Sequence, residues 1–277
     1  MEKSDYVTNM NFLALENKCF AVIGVANRRS VAFAIGRLLE QAGARVLYVV
    51  RDAAIRDQVR PLLGTAPVFT CDVESDRDLE QLQADLIRDG VRLDGLVHSI
   101  AFANFSTGAK PFHETARGDF LQAVNVSCYS LIALARLLEP LFNPLAAVVT
   151  ISISSTRMAA ENYSYMGPVK AALDSTVVFL AKSLSGKGIR VNAVGAGLLK
   201  TSASAGIPGY IDAYLYAEQV IPRKKPLATE EVANVAVFLL SPRASGINAQ
   251  TVVTDAGMGI NFFDRDLVRR VVGPGTP

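Results

Sequence analysis

The sequence predicts a doubly wound α/β fold, and three observations support this prediction. Seven short apolar, β-branched runs alternate with stretches of helical spacing, which is typical of repeated βαβ units. The runs are apolar on both faces, as the strands of a parallel sheet are when helices cover both sides. No linker rich in Pro, Gly or Ser and no internal repeat divides the 277 residues. We therefore expect a single Rossmann-type domain with a seven-stranded parallel sheet and helices on both faces.

The predicted elements follow one another in a regular order. The strands are expected at residues 18–24, 45–50, 67–71, 93–98, 146–152, 188–194 and 250–254. Two of the intervening helices, at 120–138 and 168–185, are apolar around most of their circumference. Such a helix must be covered on every side, whereas a sheet covers only one, so a second subunit is expected to cover the rest. The sequence thus predicts a homotetramer or homodimer.

Composition excludes several classes of protein. Half of the residues are hydrophobic and 19% are charged, so the chain can bury a large core. A formal charge of +2 is too small to indicate a nucleic-acid partner or an anionic membrane surface, and no window approaches the roughly 20 apolar residues of a membrane span. Two histidines and three scattered cysteines make a metal site unexpected and favour a reducing compartment. With no apolar leader at the N-terminus, we expect a cytoplasmic protein whose residues 1–11 and about 265–277 are tails.

The first predicted strand runs into a tight turn and a helix. Gly24 can adopt the backbone shape that the turn needs, and Ser30 is placed to cap the helix and to offer a hydroxyl. A first βα turn of this kind binds phosphate. The Gly-x-Gly-x-x-Gly spacing is absent, so Gly24 also fits an ordinary turn at a strand end. Its place in the first βα unit favours a dinucleotide.

The second predicted strand ends at Arg51 and Asp52. In a dinucleotide fold, an acid at this strand end binds the ribose 2′-hydroxyl, whereas an arginine binds a 2′-phosphate. Arg51 therefore favours NADPH over NADH. Because Asp52 is its neighbour, an exposed surface pair without a ligand is the alternative.

After the fifth predicted strand, Tyr163 and Lys170 lie seven residues apart at the start of a predicted helix. Seven residues at about 100° each return to nearly the same face of a helix, so both side chains are expected to point into one cleft. Tyr165 is expected to face away. From spacing alone, a buried tyrosine and a surface lysine without function fit equally well.

These residues resemble the short-chain dehydrogenase/reductase superfamily and, within it, the enoyl-acyl carrier protein reductases. The similar segments occur in the family's order and cover about residues 12–262; they are 24–32, 71–73, 93–103, 162–170, 190–197 and 201–207. The Tyr-x6-Lys spacing is the more specific feature, since most of the superfamily has Tyr-x3-Lys. Met166 occupies the position that the shorter spacing would require.

The resemblance implies NADPH-dependent reduction of a 2-enoyl thioester carried on acyl carrier protein or coenzyme A. Tyr163 would donate a hydrogen bond to the thioester carbonyl, and Lys170 would hold the ribose hydroxyls. The other cofactor-binding residues would be Gly24, Ser30 and Val31 at the pyrophosphate, Asp72 and Val73 at the adenine, Ser99 and Ala101 at the nicotinamide-side ribose, and Leu199 and Thr201 at the carboxamide. The acyl chain would contact Ala103, Ile153, Tyr163, Met166, Ala203 and Ile207. Independently of the resemblance, residues 198–222 combine Gly and Pro hinges with apolar side chains, which predicts a mobile cover over the acyl site; a permanently packed helix pair is the alternative.

Several positions depart from the family's pattern. Many members have a second aromatic residue where this chain has Ile153, and Ser152 or Ser154 could occupy that space instead. Asn125 is more like the asparagine of the ketone-reducing members. Two alternatives therefore stay open: a carbonyl reductase or alcohol dehydrogenase that uses Asn125, a strand-five serine, Tyr163 and Lys170, and a dinucleotide-binding protein whose catalysis has decayed.

Overall fold

Seven parallel strands form one continuous sheet. The computed structural model describes residues 12–273 except residues 107, 109 and 202. Its strands are β1 (Cys19–Ile23), β2 (Arg45–Val50), β3 (Val68–Thr70), β4 (Leu93–His98), β5 (Phe142–Ile153), β6 (Arg190–Ala196) and β7 (Thr251–Thr254). Their order in the sheet is β3-β2-β1-β4-β5-β6-β7. The predicted doubly wound α/β fold is confirmed, and β2 and β4 have the predicted bounds.

Helices cover both faces of this sheet. They are α1 (Val31–Gln41), α2 (Ala53–Leu63), α3 (Asp76–Arg88), α4 (Arg117–Val124), α5 (Ser130–Leu138), α6 (Met166–Ser183), α7 (Tyr210–Val220), α8 (Thr229–Leu240) and α9 (Arg265–Val272). Side chains of α1, α2 and α8 form one hydrophobic cluster with the sheet, and those of α3, α5 and α6 form another. We call the second side the α6 face. Along β5, Val149 belongs to the first cluster and Val148 to the α6 face, because successive side chains of a strand point to opposite sides.

β5 begins four residues earlier than predicted. Leu93 pairs with Phe142, but the next pair is Gly95 with Ala147, so the register shifts between them. Leu145 lies in the extra length with a φ of +66°, which is a bulge conformation. β6 begins and ends two residues later than predicted, because its bounds follow its pairing with β5.

The predicted helix at 120–138 is a longer stretch with a wide turn in its middle. α4 continues through a π-helical turn at Asn125–Tyr129 into α5. By length and composition, Arg117–Leu141 is apolar enough to cross a membrane, so the expectation that no segment reaches this limit is wrong. However, 56% of its most apolar window is buried inside the fold, where Leu131 and Leu134 are fully enclosed. This is the burial of a core helix.

Part of the predicted C-terminal tail is helical. Asp264 caps α9 by accepting hydrogen bonds from the backbone N–H groups of Asp266 and Leu267, and it also forms an ion pair with Lys224 at 2.7 Å. These contacts fix the position of residues that the sequence analysis assigned to a tail. Residues 1–11 and 274–277, the remainder of the predicted tails, lie outside the described residues.

Candidate active site

The carboxyl ends of the central strands meet at one edge of the sheet, and the predicted site residues follow these ends. β1 and β4 are neighbours, although the chain leaves β1 toward β2 on one side and β4 toward β5 on the other. In doubly wound sheets, ligands bind in the crevice at this reversal of strand order.

Gly24 follows β1 at the centre of the crevice. Its φ is +103°, and a Cβ atom there would lie 2.1 Å from the carbonyl oxygen of Ser99, which follows β4. Both the backbone conformation and this contact require glycine. The two loops therefore pack backbone against backbone, and this narrow cradle fits a pyrophosphate approaching the start of α1.

Ser30 precedes α1 but does not cap it as predicted. Its hydroxyl donates to the carbonyl of Asn27 at 2.6 Å and makes no bond to the helix amides. The serine therefore closes the turn instead. The backbone N–H groups of Val31 and Ala32, the first two of α1, therefore stay available for an anion at the positive end of the helix.

Arg51 is exposed at the end of β2 and pairs with its neighbour. Its Nε donates to Asp52 at 2.8 Å. Asp52 also accepts the backbone N–H of Ile55 as the N-cap of α2, and these two bonds lower the pKa of its carboxyl. The geometry fits both interpretations of the sequence: a surface pair, and a guanidinium at the strand end where a 2′-phosphate binds.

The residues expected around the adenine and the nicotinamide-side ribose follow β3 and β4. Asp72 accepts the backbone N–H of Glu74 at 3.0 Å, and Val73 is buried beside it. Ala101 is exposed, whereas Ala103 packs against the α6 face. These positions line the same edge of the sheet as Gly24.

Tyr163 does not lie on α6. The helix begins at Met166, residues 161–165 form turns, and Ser164 has a φ of +46°. The predicted two-turn helical geometry between Tyr163 and Lys170 is therefore wrong. Tyr163 still packs against the α6 face, and burial raises the pKa of its phenol. Among the described residues, its hydroxyl has no hydrogen-bond partner.

Tyr165 has a structural environment. Its hydroxyl donates to the carbonyl of Asn104 at 2.9 Å, and its ring packs against Phe105 with centroids 5.6 Å apart. Met166, the next residue, is buried in the α6 face. The hydroxyl of Tyr165 is thus already bonded within the protein, and its exclusion from the mechanism stays a prediction.

Lys170 lies on α6, and its buried ammonium contacts β5 near the end of that strand. The residue is 3% exposed, and its Nζ donates to the carbonyl of Ile151 at 2.7 Å. Burial lowers the pKa of the ammonium to about 8, although Asp174 and Cys128 act in the opposite direction. The charge is therefore held where little water screens it.

A buried polar cluster beside Lys170 was not predicted. The ring of His98, fully enclosed in β4, lies 2.8 Å from Thr150 Oγ1 through Nδ1 and 2.8 Å from Ser130 Oγ through Nε2. Because Ser130 donates its proton to the carbonyl of Val126, it accepts from Nε2–H, and Thr150 donates to Nδ1. Burial and the charge of Lys170 lower the pKa of His98 to about 3, so the ring is neutral. The sequence does contain one sign of this cluster: His98 stands within an apolar strand, where a buried polar side chain needs hydrogen-bond partners.

The end of β5 contains no second aromatic donor. Ile153 is its last residue and pairs with Ala196 of β6. Ser152 is 2% exposed, and Ser154 follows the strand. Asn125 begins the π-helical turn. The residues named by the carbonyl-reductase alternative are thus present at this end of the fold.

The start of the predicted cover segment, 198–222, is tied to the end of β6. Ser204 donates to the carbonyl of Leu199 at 2.9 Å and accepts the backbone N–H of Thr201 at 2.9 Å, and Tyr210 also donates to Leu199. Ala203, next to these hydrogen-bonded residues, is exposed. These bonds hold Leu199 and Thr201 in place after β6, and their role at the carboxamide stays a prediction.

The remainder of the segment is α7 and its approach. Ile207 is half-buried before the helix, whereas Ile211 and Leu215 on α7 are exposed. Tyr210 ties the start of α7 to Leu199, and buried Ala217 and Val220 anchor its end. The segment is folded, and its mobility stays a prediction.

Two further features bear on ligands. A cavity of about 920 Å³ lies at the opposite, amino edge of the sheet, where its lining includes Arg37, Glu40 and Arg45. It contains none of the predicted site residues. Within the described ranges, no group of three or more His, Cys, Asp or Glu side chains could hold a metal ion.

Comparison with known proteins gives consistent results. A family model described as enoyl-(acyl carrier protein) reductase matches residues 24–259. The chain is 34% identical over 250 residues to an enoyl-[acyl-carrier-protein] reductase from Staphylococcus aureus named as NADPH-dependent, covering 88% of this chain and 98% of the relative. It is 37% identical over 258 residues to a Nostoc relative named as NADH-dependent, covering 90% and 98%.

Solved structures are similar over the same extent. The Aquifex aeolicus enoyl-[acyl-carrier-protein] reductase (NADH) superimposes with a TM-score of 0.87 at 36% identity, covering 90% of this chain and 99% of that one. The Bacillus cereus enoyl-acyl carrier protein reductase, in complex with NADP⁺ and an indole naphthyridinone, gives 0.85 at 33% identity, covering 89% and 98%.

Proposed function

The chain belongs to the enoyl-acyl carrier protein reductase family, and we propose that it reduces the carbon–carbon double bond of a 2-enoyl thioester with a nicotinamide dinucleotide. The observation that best supports this activity is the difference between two tyrosines. The hydroxyl of Tyr165 is bonded within the protein, whereas that of Tyr163 has no hydrogen-bond partner among the described residues and is therefore available to donate to a substrate.

The dinucleotide, when bound, supplies the hydride that the β-carbon accepts. Hydride addition to the β-carbon would move negative charge to the thioester carbonyl oxygen, where a fixed donor stabilises it, and a proton from water would then complete the reduction at the α-carbon. Tyr163 provides this donor, and Lys170 supports it with positive charge while binding the ribose hydroxyls. His98 stays neutral, so no second buried cation opposes Lys170.

Product analysis tests the activity. The purified protein is incubated with NADPH or NADH and with paired 2-enoyl and β-keto thioesters, and the products are identified by mass spectrometry. We expect saturation of the enoyl double bond. Reduction of the β-keto thioester with the enoyl thioester untouched would establish the carbonyl reductase instead. Nucleotide binding without turnover of either would establish the decayed enzyme.

We propose NADPH as the preferred cofactor, because Arg51 offers a positive fork at the strand end where a 2′-phosphate binds. Arg51→Ala is expected to weaken NADPH binding by about 1–3 kcal/mol and to leave NADH binding nearly unchanged. Fluorescence titration with both cofactors measures the effect. Arg56→Ala, which removes an exposed arginine paired with Asp57 on α2, is the control. Equal affinity of the unmutated protein for both cofactors would refute the preference.

We also propose a cytoplasmic enzyme whose acyl substrate is attached to acyl carrier protein or coenzyme A. Ala103, Ile153, Met166, Ala203 and Ile207 would contact the acyl chain. The assembly is proposed to be a homodimer or homotetramer, because the helices on the α6 face leave large apolar side chains exposed.

A further inference from the structure

Two buried hydroxyl oxygens stand out within the described part of the chain. Ser152 Oγ and Thr254 Oγ1 are enclosed and have no hydrogen-bond partner there. Burying a hydroxyl without a partner costs folding free energy, so such a group in a native protein requires an explanation. The two are at different places: Thr254 ends β7, whereas Ser152 lies near the end of β5, beside the proposed site.

Ser152 and Lys170 occupy the same corner of the fold. Thr150 bonds to His98 on the α6 face, and Ser152, two residues further along β5, points to that face as well. Lys170 comes from α6 and donates to the carbonyl of Ile151, which lies between these two residues. The hydroxyl and the ammonium are thus brought together by one strand and the helix packed on it.

The ammonium of Lys170 also has fewer hydrogen-bond acceptors around it than it has protons to donate. It has three protons, and one hydrogen bond is found for it among the described residues, to Ile151. A buried ammonium stays charged only when acceptors replace the water it has lost. An unbonded hydroxyl on the same face is a suitable second acceptor.

We propose that Ser152 is a positioning residue for Lys170, whose ammonium donates a second hydrogen bond to the Ser152 hydroxyl when the dinucleotide is bound. This inference rests on the proposed function, since it assumes that Lys170 turns toward the ribose of a bound dinucleotide. The bond to Ser152, together with the bond to Ile151, keeps the lysine charged and directed at the ribose. Burying the Ser152 hydroxyl without another partner is the energetic cost of this arrangement.

The other titratable groups around Lys170 come from four elements. His98 approaches from β4, Cys128 from the π-helical turn and Asp174 from the next turn of α6, and Tyr163 packs on the same face from the preceding loop. Removing the Ser152 hydroxyl changes none of these charges. A shift in the titration of Lys170 would therefore report the lost hydrogen bond.

The test compares Ser152→Ala with Thr254→Val, which removes the other unpartnered hydroxyl two strands away from β5. NADPH and NADH binding are measured by fluorescence titration from about pH 6 to pH 10, across the range where lysine loses its proton. Both variants are expected to melt no lower than the unmutated protein, because an unpaired buried hydroxyl is lost. Only Ser152→Ala should weaken cofactor binding, by about tenfold, and move the alkaline loss of affinity down by about one pH unit.

Lys170→Ala should abolish the alkaline loss of affinity, which assigns it to this residue. If Ser152→Ala does not fold, Ser152→Cys, which is nearly isosteric and a poor acceptor, gives the same comparison. Cofactor affinity and pH dependence in the serine variants that match the unmutated protein would overturn the proposal. Because the readout is binding, failure of the enoyl-reductase assay with these shifts present would refute the proposed activity alone.

Discussion

The two tyrosines that precede α6 have opposite environments, and this difference gives a prediction at the scale of single residues. Tyr163→Phe is expected to lower kcat by about 10²–10³ with cofactor affinity nearly unchanged, because the lost donor acts only on charge that develops during reaction. Tyr165→Phe is the matched control. It should cost about 1 kcal/mol of folding stability, since the carbonyl of Asn104 loses its donor, and leave kcat within a few-fold.

Steady-state kinetics of the two variants, with denaturant unfolding alongside, separate these effects. A Tyr163→Phe enzyme that retains full kcat would remove this tyrosine from the mechanism. The reverse pattern, in which only Tyr165→Phe is slow, would assign the donor to Tyr165.

His98 makes the stability of the protein depend on pH. Burial and the charge of Lys170 lower the pKa of the folded histidine to about 3, below the ordinary histidine value of 6.5. The unfolded chain therefore binds the proton first as pH falls. The stabilisation is complete above about pH 6.5 and is lost progressively toward pH 3, by up to about 5 kcal/mol.

Urea unfolding at fixed protein concentration between about pH 7 and pH 5 measures this slope. His98→Gln should be less stable at neutral pH but should lose less stability on acidification. His113, the chain's other histidine, is exposed, so His113→Gln should keep the slope of the unmutated protein. A slope that survives in His98→Gln would assign the acid sensitivity to other groups.

Sequence alone selected Tyr163 and Lys170 as candidate site residues but did not predict the geometry between them. The helical arithmetic for Tyr163 and Lys170 failed because Ser164 takes a positive φ and the helix starts only at Met166. The cluster of His98, Ser130 and Thr150 was missed because its members come from three elements. Hydrogen bonds between residues so far apart in the chain leave no local spacing to recognise.

At the scale of elements, strand positions were predictable and strand ends were less so. Runs such as residues 45–50 are buried on both faces, so composition alone locates them. The ends of β5 and β6 depend on pairing and on a bulge at Leu145, which composition does not encode. The π-helical turn at Asn125–Tyr129 was missed in the same way, since both halves of the stretch have helical patterns.

α7 gives a prediction at this scale. Its exposed Ile211 and Leu215 have no cover within the described chain, and buried anchors lie only near its end. We expect α7 to open readily without ligands and to become protected when NADP and an acyl thioester supply apolar contacts. Hydrogen exchange of the α7 amides measures this change, and α8, which packs against α1 and the sheet, is the internal control. Slow exchange of α7 without ligands, unchanged on their addition, would show a permanently packed helix.

At the scale of the whole molecule, one side of the fold remains apolar. The helices on the α6 face bury one flank against the sheet and expose large apolar side chains on the other; these are Leu121, Tyr129, Ile132, Val178 and Phe179. Soluble monomers rarely leave such side chains together on one surface. The two helical stretches were predicted to need cover on every side, and the fold supplies that cover on one side only.

A second copy of the chain is the proposed cover, and Phe179 is the residue at which to test it, because 75% of its surface is exposed in the monomer. Phe179→Asp would place a carboxylate in an apolar interface, where its desolvation opposes association. Sedimentation equilibrium should show a dimer or tetramer for the unmutated protein and smaller species for this variant. Phe12→Asp, at a 58% exposed apolar position beside Arg243 on the other side of the sheet, should assemble normally. A monomeric unmutated protein would contradict the proposal that a second copy of the chain covers this face. Full assembly of both variants would show that the interface lies elsewhere on the molecule.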